Sequence, residues 1–248
     1  MKITVLGGKG LLGRHLVPLL EKAGHGVTVA SRSTEPAVDL RAGEGIAEAI
    51  ADAEVIFHLA SDAFSAKKVD LVGTQRVLQE MTGQRLVYVS IVGVDRHPLP
   101  YYRVKYEVEQ MIEQSGVDYT IVRATQFHDF VAYFLGMTTK LLIGFVPHRF
   151  VFQPIDTAEA AAHIATLVEF AGGRAPDLAG PEVLGIAELA RSLMTEKGIE
   201  RPLIQIPIPG RVGRAFRNGV HTNPDRAIGE ITWADYLKSL GFHHGPPY

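Results

Sequence analysis

Along the first 125 residues the hydrophobic and polar positions alternate between two periods. Short apolar, β-rich runs stand at Ile3–Leu6, Val27–Ala30, Val55–Leu59, Leu86–Val89 and Tyr119–Val122, each bounded by Gly, Asp or Ser, and each predicts a strand. Between several of them the spacing turns helical. Leu11, Leu12, His15, Leu16, Leu19 and Leu20 form one apolar face that stops at Gly24, and Val69, Val72, Val77 and Leu78 form a weaker one. Strands that are apolar on both faces and separated by helices belong to a parallel sheet covered by helices on both sides. The fold class expected is α/β, a doubly wound parallel sheet.

The second half is less regular. Asp156 to Phe170, rich in Ala, reads as a helix, as do Ile186 to Lys197 and Trp233 to Leu240, while Leu203–Pro207 reads as a short strand. No repeat, low-complexity tract or linker divides the chain. Residues 1–248 are therefore expected as a single domain, a core of 1–125 followed by an extension, 126–248, wrapped on the same sheet and forming the substrate side.

Composition narrows the class. With 248 residues, 46% hydrophobic and 21% charged, the chain can bury a sizeable core. It contains no Cys, which removes disulfides, thiolate nucleophiles and Fe–S or Cys-type zinc sites together and suits a reducing compartment. A net charge of −2 gives no reason to expect nucleic acid as a partner. The apolar run at Ile3–Leu6 is too short for a secretory segment, and Phe130 to Pro147 is interrupted by Lys140 before reaching the length of a membrane span. A cytoplasmic protein that binds no membrane is expected. The ten His are scattered apart from His243-His244, no H-E-x-x-H or G-x-S-x-G occurs, and no metal is expected.

The first strand runs into Gly7-Gly8-Lys9-Gly10-Leu11-Leu12-Gly13 and then a helix, with glycines spaced G-x-x-G-x-x-G. A sharp turn, close backbone approach, a small residue for helix–strand packing and a helix N-terminus facing an anion are what a pyrophosphate requires. The turn lacks the G-K-[ST] ending of a P-loop. Where the second strand ends, an NAD site usually carries an acid for the ribose 2′-OH, whereas this chain has Ala30-Ser31-Arg32-Ser33-Thr34 and no acid before Glu35. A guanidinium with neighbouring hydroxyls suits a 2′-phosphate. NADP(H) is favoured over NAD(H), against the alternative that Arg32 is a solvated loop residue.

Leu86-Val87-Tyr88-Val89-Ser90 reads as a strand with Ser90 at its carboxyl end, where ligands bind in open α/β sheets. Tyr101 and Lys105 follow, four apart. On a helix from Tyr101 to Gln114 they lie within about 40° on one face, with Val108 and Ile112. A lysine on an apolar face needs a reason: an ammonium beside a phenol lowers its pKa and lets it exchange a proton near neutrality. The bland reading is a snorkelling Lys105 beside an exposed Tyr101.

These residues resemble the short-chain dehydrogenase/reductase superfamily, in particular its atypical, NmrA-like NAD(P)-binding members with a Rossmann fold. The resemblance spans nearly the whole chain. It rests on the glycine turn, Phe57-His58-Leu59-Ala60-Ser61, Val89-Ser90-Ile91-Val92-Gly93-Val94, Tyr101-Tyr102-Arg103-Val104-Lys105 and Tyr119 through Phe127, with Gln153-Pro154-Ile155-Asp156, Ala179-Gly180-Pro181-Glu182 and Thr232-Trp233 in the tail. The resemblance counts the Val55 and Leu86 runs as fourth and fifth strands. It implies that Gly7, Gly10, Leu11, Leu12, Gly13, Ser31, Arg32, Ser33, Leu59, Ala60 and Ser61 line the adenosine and phosphates. It further implies that Ser90, Ala124, Thr125 and Phe127 border the nicotinamide and that Lys105 holds the nicotinamide ribose. One departure stands out: catalytic members carry another hydroxyl residue one or two positions after the serine matching Ser90, and here those positions are Ile91 and Val92.

Seven of the chain's 20 aromatic residues fall within 127–152, namely Phe127, Phe130, Tyr133, Phe134, Phe145, Phe150 and Phe152, which suits either an apolar pocket or a packed core. Gln126, His128, Phe130 and Phe134 are the candidate substrate contacts, although a lone His in such a place is more often hydrogen-bonded structure than a substrate contact. The first functional reading is an NADP(H)-dependent reductase passing hydride to a small apolar carbonyl, enone or quinone, with Tyr101 as proton donor, Lys105 fixing the ribose and Ser90 polarising the acceptor. A second is a non-catalytic NADP(H)-sensing protein that regulates a partner. A nucleotide-sugar epimerase-like enzyme is third, and a homo-oligomer or a regulatory partner protein stays open.

Overall fold

A computed structural model describes residues 1–139, 143–170 and 172–241. The chain runs β1 (Lys2–Leu6), α1 (Gly13–Lys22), β2 (Gly26–Ala30), α2 (Ile46–Ile50), β3 (Val55–His58), a π-helical turn (Lys67–Val72), α3 (Gly73–Glu80), β4 (Arg85–Ile91), α4 (Pro100–Gln114) and β5 (Tyr119–Ala124). It continues through α5 (His128–Thr138), β6 (Gly144–Pro147), β7 (Val151–Phe152), α6 (Thr157–Ala165), β8 (Gly173–Arg174), β9 (Leu184–Gly185), α7 (Ile186–Glu196), β10 (Leu203–Ile206), α8 (Gly210–Arg217) and α9 (Trp233–Ser239).

Six parallel strands form the central sheet in the order β2-β1-β3-β4-β5-β8. The five strands expected from the apolar runs are all present. Their side chains divide by alternation. Ile3, Val5, Phe57, Val87 and Val122 pack under α1 and α6, while Leu6, Ile56, Leu86, Tyr88 and Ile121 pack under α2, α3 and α4. Each fully buried residue of this kind contributes about 1.5–3 kcal/mol, so burying both faces drives the sheet together. The strand that the family resemblance counts third is reduced to a single parallel bridge between Ser31 and Ala37.

The extension divides between the central sheet and a lobe of its own. Only β8 joins the central sheet; β6 pairs with β10 and β7 with β9 in two separate small sheets. A third core, containing Val131, Leu135, Val146, Phe150, Ile186, Leu189, Leu193, Trp233 and Leu237, holds this lobe together. Within the tail α6 covers the central sheet, while α5, α7 and α9 build a core of their own because their apolar faces pack on one another. Lys140 and His243-His244 lie outside the described residues. Among the described residues no helix is long and apolar enough to cross a membrane.

Lobe and sheet meet at the loop between β4 and α4. Gly93 has φ +77°, and a Cβ there would stand 2.1 Å from the Val220 carbonyl oxygen. Replacing it forces both a left-handed non-glycine residue and a backbone clash. Gly93→Ala is expected to lower stability by about 1–3 kcal/mol, read as a fall in Tm of roughly 2–4 °C per kcal/mol in a scanning calorimeter.

Candidate functional site

The glycine turn has the geometry an anion requires. Gly7 has φ +83°, and a Cβ there would lie 2.7 Å from the Ala60 nitrogen. A Cβ on Gly13 would lie 2.5 Å from the Gly8 Cα, so the third glycine lets α1 seat against the turn. At Gly10 only the Gly7 carbonyl oxygen comes close, at 3.1 Å. The first turn of α1 carries no side-chain cap and no acidic residue. Its N–H groups and positive dipole end are left for an external anion, the fit expected of a pyrophosphate, with Leu11 and Leu12 in the segment that leads into the helix.

At the end of β2, Ser31, Arg32 and Ser33 form a turn closed by the Thr34 hydroxyl, which accepts from the Ser31 N–H at 2.7 Å. Arg32 is exposed and, among the described residues, pairs with no carboxylate. Lys9, from inside the glycine turn, donates through Nζ to the Ser33 carbonyl at 2.8 Å. Sequence reading passed over Lys9; the signal was a cation inside the turn, one strand away from Arg32. Two cations and the Ser31 and Ser33 hydroxyls thus share one corner.

Across the turn, Leu59 donates its N–H to the Leu6 carbonyl at 2.9 Å and Ala60 packs on Gly7. Ser61 Oγ then reaches two partners, Asp70 Oδ1 at 2.6 Å and Tyr101 Oη at 2.8 Å. Lys105 is 3% exposed; its Nζ donates to the Val89 carbonyl at 2.9 Å, stands 3.6 Å from Asp70 Oδ1 and sits 4.2 Å over the Tyr88 ring. Tyr101 and Lys105 therefore share a face of α4, and Asp70, which sequence reading missed, joins them. The expected depression of the Tyr101 pKa is absent. Burial first, then the Asp70 carboxylate, push Tyr101 up to about 12, with the Ser61 hydrogen bond acting in the opposite sense. Burial lowers the Lys105 pKa, opposed by Asp70 and Glu109. His58, buried beside them with Nε2 2.9 Å from the Thr74 hydroxyl, is lowered to about 3 by burial and by the Lys105 charge.

Ser90 falls elsewhere. The strand continues to Ile91, and Ser90 is 3% exposed, opposite Arg123 in the register, its hydroxyl buried without a hydrogen-bond partner. Glu109 also accepts from Arg123 Nε at 2.9 Å, Arg123 Nη2 at 2.6 Å and Arg174 Nη1 at 2.9 Å. Glu109 lies eight residues beyond Tyr101, about 12 Å along α4 at ~1.5 Å per residue. Alternation along β4 places Ser90 on the face where Arg123 meets Glu109.

Ala124, which ends β5, and Thr125 after it are buried, and Thr125 Oγ1 accepts from the Gly180 N–H at 3.2 Å. Phe127 packs on the core beneath α1 and α6. Gln126 Nε2 donates to the Tyr102 hydroxyl at 3.2 Å, while its Oε1 is buried without a hydrogen-bond partner. His128 is no pocket residue: it is fully buried, 4.9 Å from the Tyr236 ring and 5.7 Å from that of Trp233, and burial lowers its pKa to about 4. Phe130 and Tyr133 are exposed and Phe134 joins the lobe core. Phe150 and Phe152 pack against Phe216, at 4.8 and 5.8 Å, so much of the aromatic cluster is core. Among the described residues no group of three or more His, Cys, Asp or Glu could hold a metal.

A strand–glycine turn–helix unit, a cationic corner at β2 and loops gathered at the carboxyl edge of a parallel sheet define a dinucleotide-binding protein of Rossmann type. The chain belongs to the NAD(P)H-binding family, which matches it over residues 7–140. Its fold is similar to that of the NADPH-dependent quinone oxidoreductase QOR2 of Escherichia coli, solved in complex with NADPH: TM-score 0.78 at 17% identity, over 96% of this chain and 99% of that one. In sequence it is similar to a 4-hydroxy-2-methyl-3-oxo-4-farnesyl-3,4-dihydroquinoline-1-oxide ketoreductase of Stigmatella aurantiaca, 30% identical over 162 residues, 49% of this chain and 48% of that protein. It also resembles the Photosystem II assembly factor Ycf39 of Synechocystis sp., 26% identical over 147 residues, 51% of this chain and 45% of that protein. The chain spans about half the length of the curated relatives it matches.

The buried imidazoles set a pH dependence. His97, His128 and His221 are each lowered to about 4, burial being the largest cause. Between about pH 6.5 and 4 the unfolded chain binds protons that the folded chain refuses, so stability falls as pH falls through that window. The loss is about 1.4 kcal/mol per pH unit for each such histidine. Urea unfolding at stepped pH checks it, and His128→Phe is expected to shallow the slope by close to one proton.

Proposed function

We propose that this chain is an NADP(H)-dependent oxidoreductase of the short-chain dehydrogenase/reductase type that passes hydride to a small apolar carbonyl, enone or quinone. The observation that carries this reading is the pairing, on one helix face beside the glycine turn, of Tyr101 with a buried Lys105 whose charge Asp70 balances. The ketoreductase and quinone oxidoreductase named among its relatives support the reaction class. The absence of Cys suits a cytoplasmic setting.

When bound, the nicotinamide supplies the hydride. The uncapped α1 N-terminus and Gly7, Gly10 and Gly13 receive the pyrophosphate; Arg32, Lys9 and the Ser31 and Ser33 hydroxyls receive a 2′-phosphate; Lys105 takes the ribose hydroxyls. Tyr101 gives its proton to the acceptor oxygen as charge develops there, a contribution of about 10²–10⁴ in rate. Gln126, whose Oε1 lacks a partner, orients the acceptor. Ser90, buried with its hydroxyl unpartnered, is given no part in it.

A second reading, a non-catalytic NADP(H)-sensing protein that regulates a partner, draws on two observations. The Tyr101 pKa is raised rather than lowered, and one set of relatives is named for assembly of a larger complex. Steady-state NADPH oxidation against quinones, enones and aromatic ketones separates the two. The reductase turns over at least one class, and Tyr101→Phe cuts kcat by about 10²-fold or more; NADPH binding without any turnover gives the site to the sensor.

Cofactor choice has its own test. A charge-assisted contact to a phosphate is worth about 1.5–3 kcal/mol, so Arg32→Ala and Lys9→Ala should each cut the NADPH/NADH affinity ratio about tenfold or more. Calorimetric titration with both dinucleotides reads the ratio; an unchanged value in both variants refutes the NADP(H) assignment.

A further inference from the structure

Asp70 lies in the π-helical turn, 1% exposed, and two segments converge on its carboxylate. From the loop after β3, Ser61 Oγ donates to Oδ1 at 2.6 Å and the Asp62 N–H donates to Oδ2 at 3.2 Å. From α4, Lys105 Nζ stands 3.6 Å from Oδ1. Ser61 Oγ is also 2.8 Å from Tyr101 Oη. Counting protons fixes the direction of this row. A hydroxyl has one hydrogen and a carboxylate only accepts, so the Ser61 hydrogen goes to Asp70 and the Tyr101 O–H donates to Ser61. π-Helical turns cluster at functional sites, and this one presents a buried charge to the edge of the glycine cradle.

We propose that Ser61 and Asp70 are positioning residues that aim the Tyr101 hydroxyl and refill it with a proton after it has been spent. The destination of that proton rests on the reductase reading. In the step, the Tyr101 O–H bond breaks as its proton passes to the oxyanion left by hydride addition. Ser61 turns its O–H from Asp70 to the phenolate and gives up its proton. Being solvent-exposed, Ser61 recovers one from water, and buffer neutralises the hydroxide. No electrons move along the row, and Asp70 stays a carboxylate throughout, returning Ser61 to its starting orientation.

The charged and titratable groups around the row are Lys105 and Tyr101 on α4, Asp62 in the loop and Tyr88 on β4, with His58 and Glu109 behind Lys105. Against that fixed background the two positioning residues act on Tyr101 in opposite senses. The Asp70 charge resists ionisation of the phenol, whereas Ser61, once its O–H turns from Asp70 to the phenolate, favours it.

Difluorotyrosine introduced at position 101 brings the titration into an accessible range, and its fluorine resonances report ionisation directly. Asp70→Asn should lower the midpoint and Ser61→Ala should raise it, each by about one pH unit; shifts in the same direction, or none, overturn the row. Ser61 sits at the surface, so Ser61→Ala remains informative should Asp70→Asn fail to fold. On any acceptor that the wild type reduces, Ser61→Ala should lower kcat about tenfold with an enlarged solvent isotope effect, and Ser61→Thr should restore both. Normal turnover by Ser61→Ala overturns the relay while leaving the reductase reading intact. A wild type that reduces no acceptor overturns that reading and the proton's destination with it, while opposed fluorine shifts still establish that Ser61 and Asp70 aim the phenol.

Discussion

An ammonium on the apolar side of a helix must be met by groups that replace its water, at a cost of several kcal/mol if they are lacking. Lys105 is that ammonium. Its partners come from three directions: Asp70 from the π-helical turn, the Val89 carbonyl from β4 and the Tyr88 ring beneath it. Meeting one buried charge therefore fixes how β4, α4 and the turn after β3 stack on each other. Other features are consequences. Buried with a cation close by, His58 stays neutral, its Nε2 hydrogen-bonded to the Thr74 hydroxyl. One turn farther along α4, buried Glu109 repeats the arrangement with the signs reversed, drawing half-buried Arg123 from β5 and exposed Arg174 from β8 into a second cluster. The central sheet is thus pinned from the α4 side by two ion networks that lie along one helix.

How much of this the sequence discloses depends on how far apart the deciding residues are. The five strands are legible because apolar side chains fill both faces, and α1 because its apolar face ends at a glycine with φ +85°. The glycine turn and the Tyr101–Lys105 pair are local patterns of three and four residues. Asp70 is not legible in this way. It stands 35 positions from Lys105, and Ser61 stands 40 from Tyr101, so neither partner can be read from spacing. The π-helical turn adds to the difficulty, because one extra residue in a turn rotates the remainder of the helix by about 100°. Val69 and Val77 remain inward while Val72 is exposed, which is why that helix shows only a weak apolar face.

The extension was harder for a different reason. On α5 the apolar residues go all round, with Phe130, Tyr133 and Met137 outside and Val131 and Leu135 inside, so no single face announces a helix. The two-residue strands β7, β8 and β9 owe their existence to neighbours rather than to β-propensity. Ser90 illustrates the same limit within a strand that was correctly expected: period-2 alternation says that a side chain points to one face or the other, but only packing says which charges wait there.

Those packing constraints come together at the first turn of α4. Tyr101 and Tyr102 are neighbours whose directions differ by about 100° around the helix, and their rings stand nearly perpendicular, 6.2 Å apart. Tyr101 reaches Ser61, on the sheet side; Tyr102 accepts from Gln126 and lies 4.5 Å from the His97 ring, which in turn contacts Phe216 and His221 in the lobe. Gly93, pressed on Val220, holds the loop that leads into this turn. The same few residues are therefore gripped by the cofactor-side loop and by the lobe at once. A displacement of either side has to pass through α4, where Lys105 resists it with the free energy of a buried ion pair. Reductase and sensor would draw on this one junction and differ in a single respect: whether the Tyr101 proton leaves the row or stays in it.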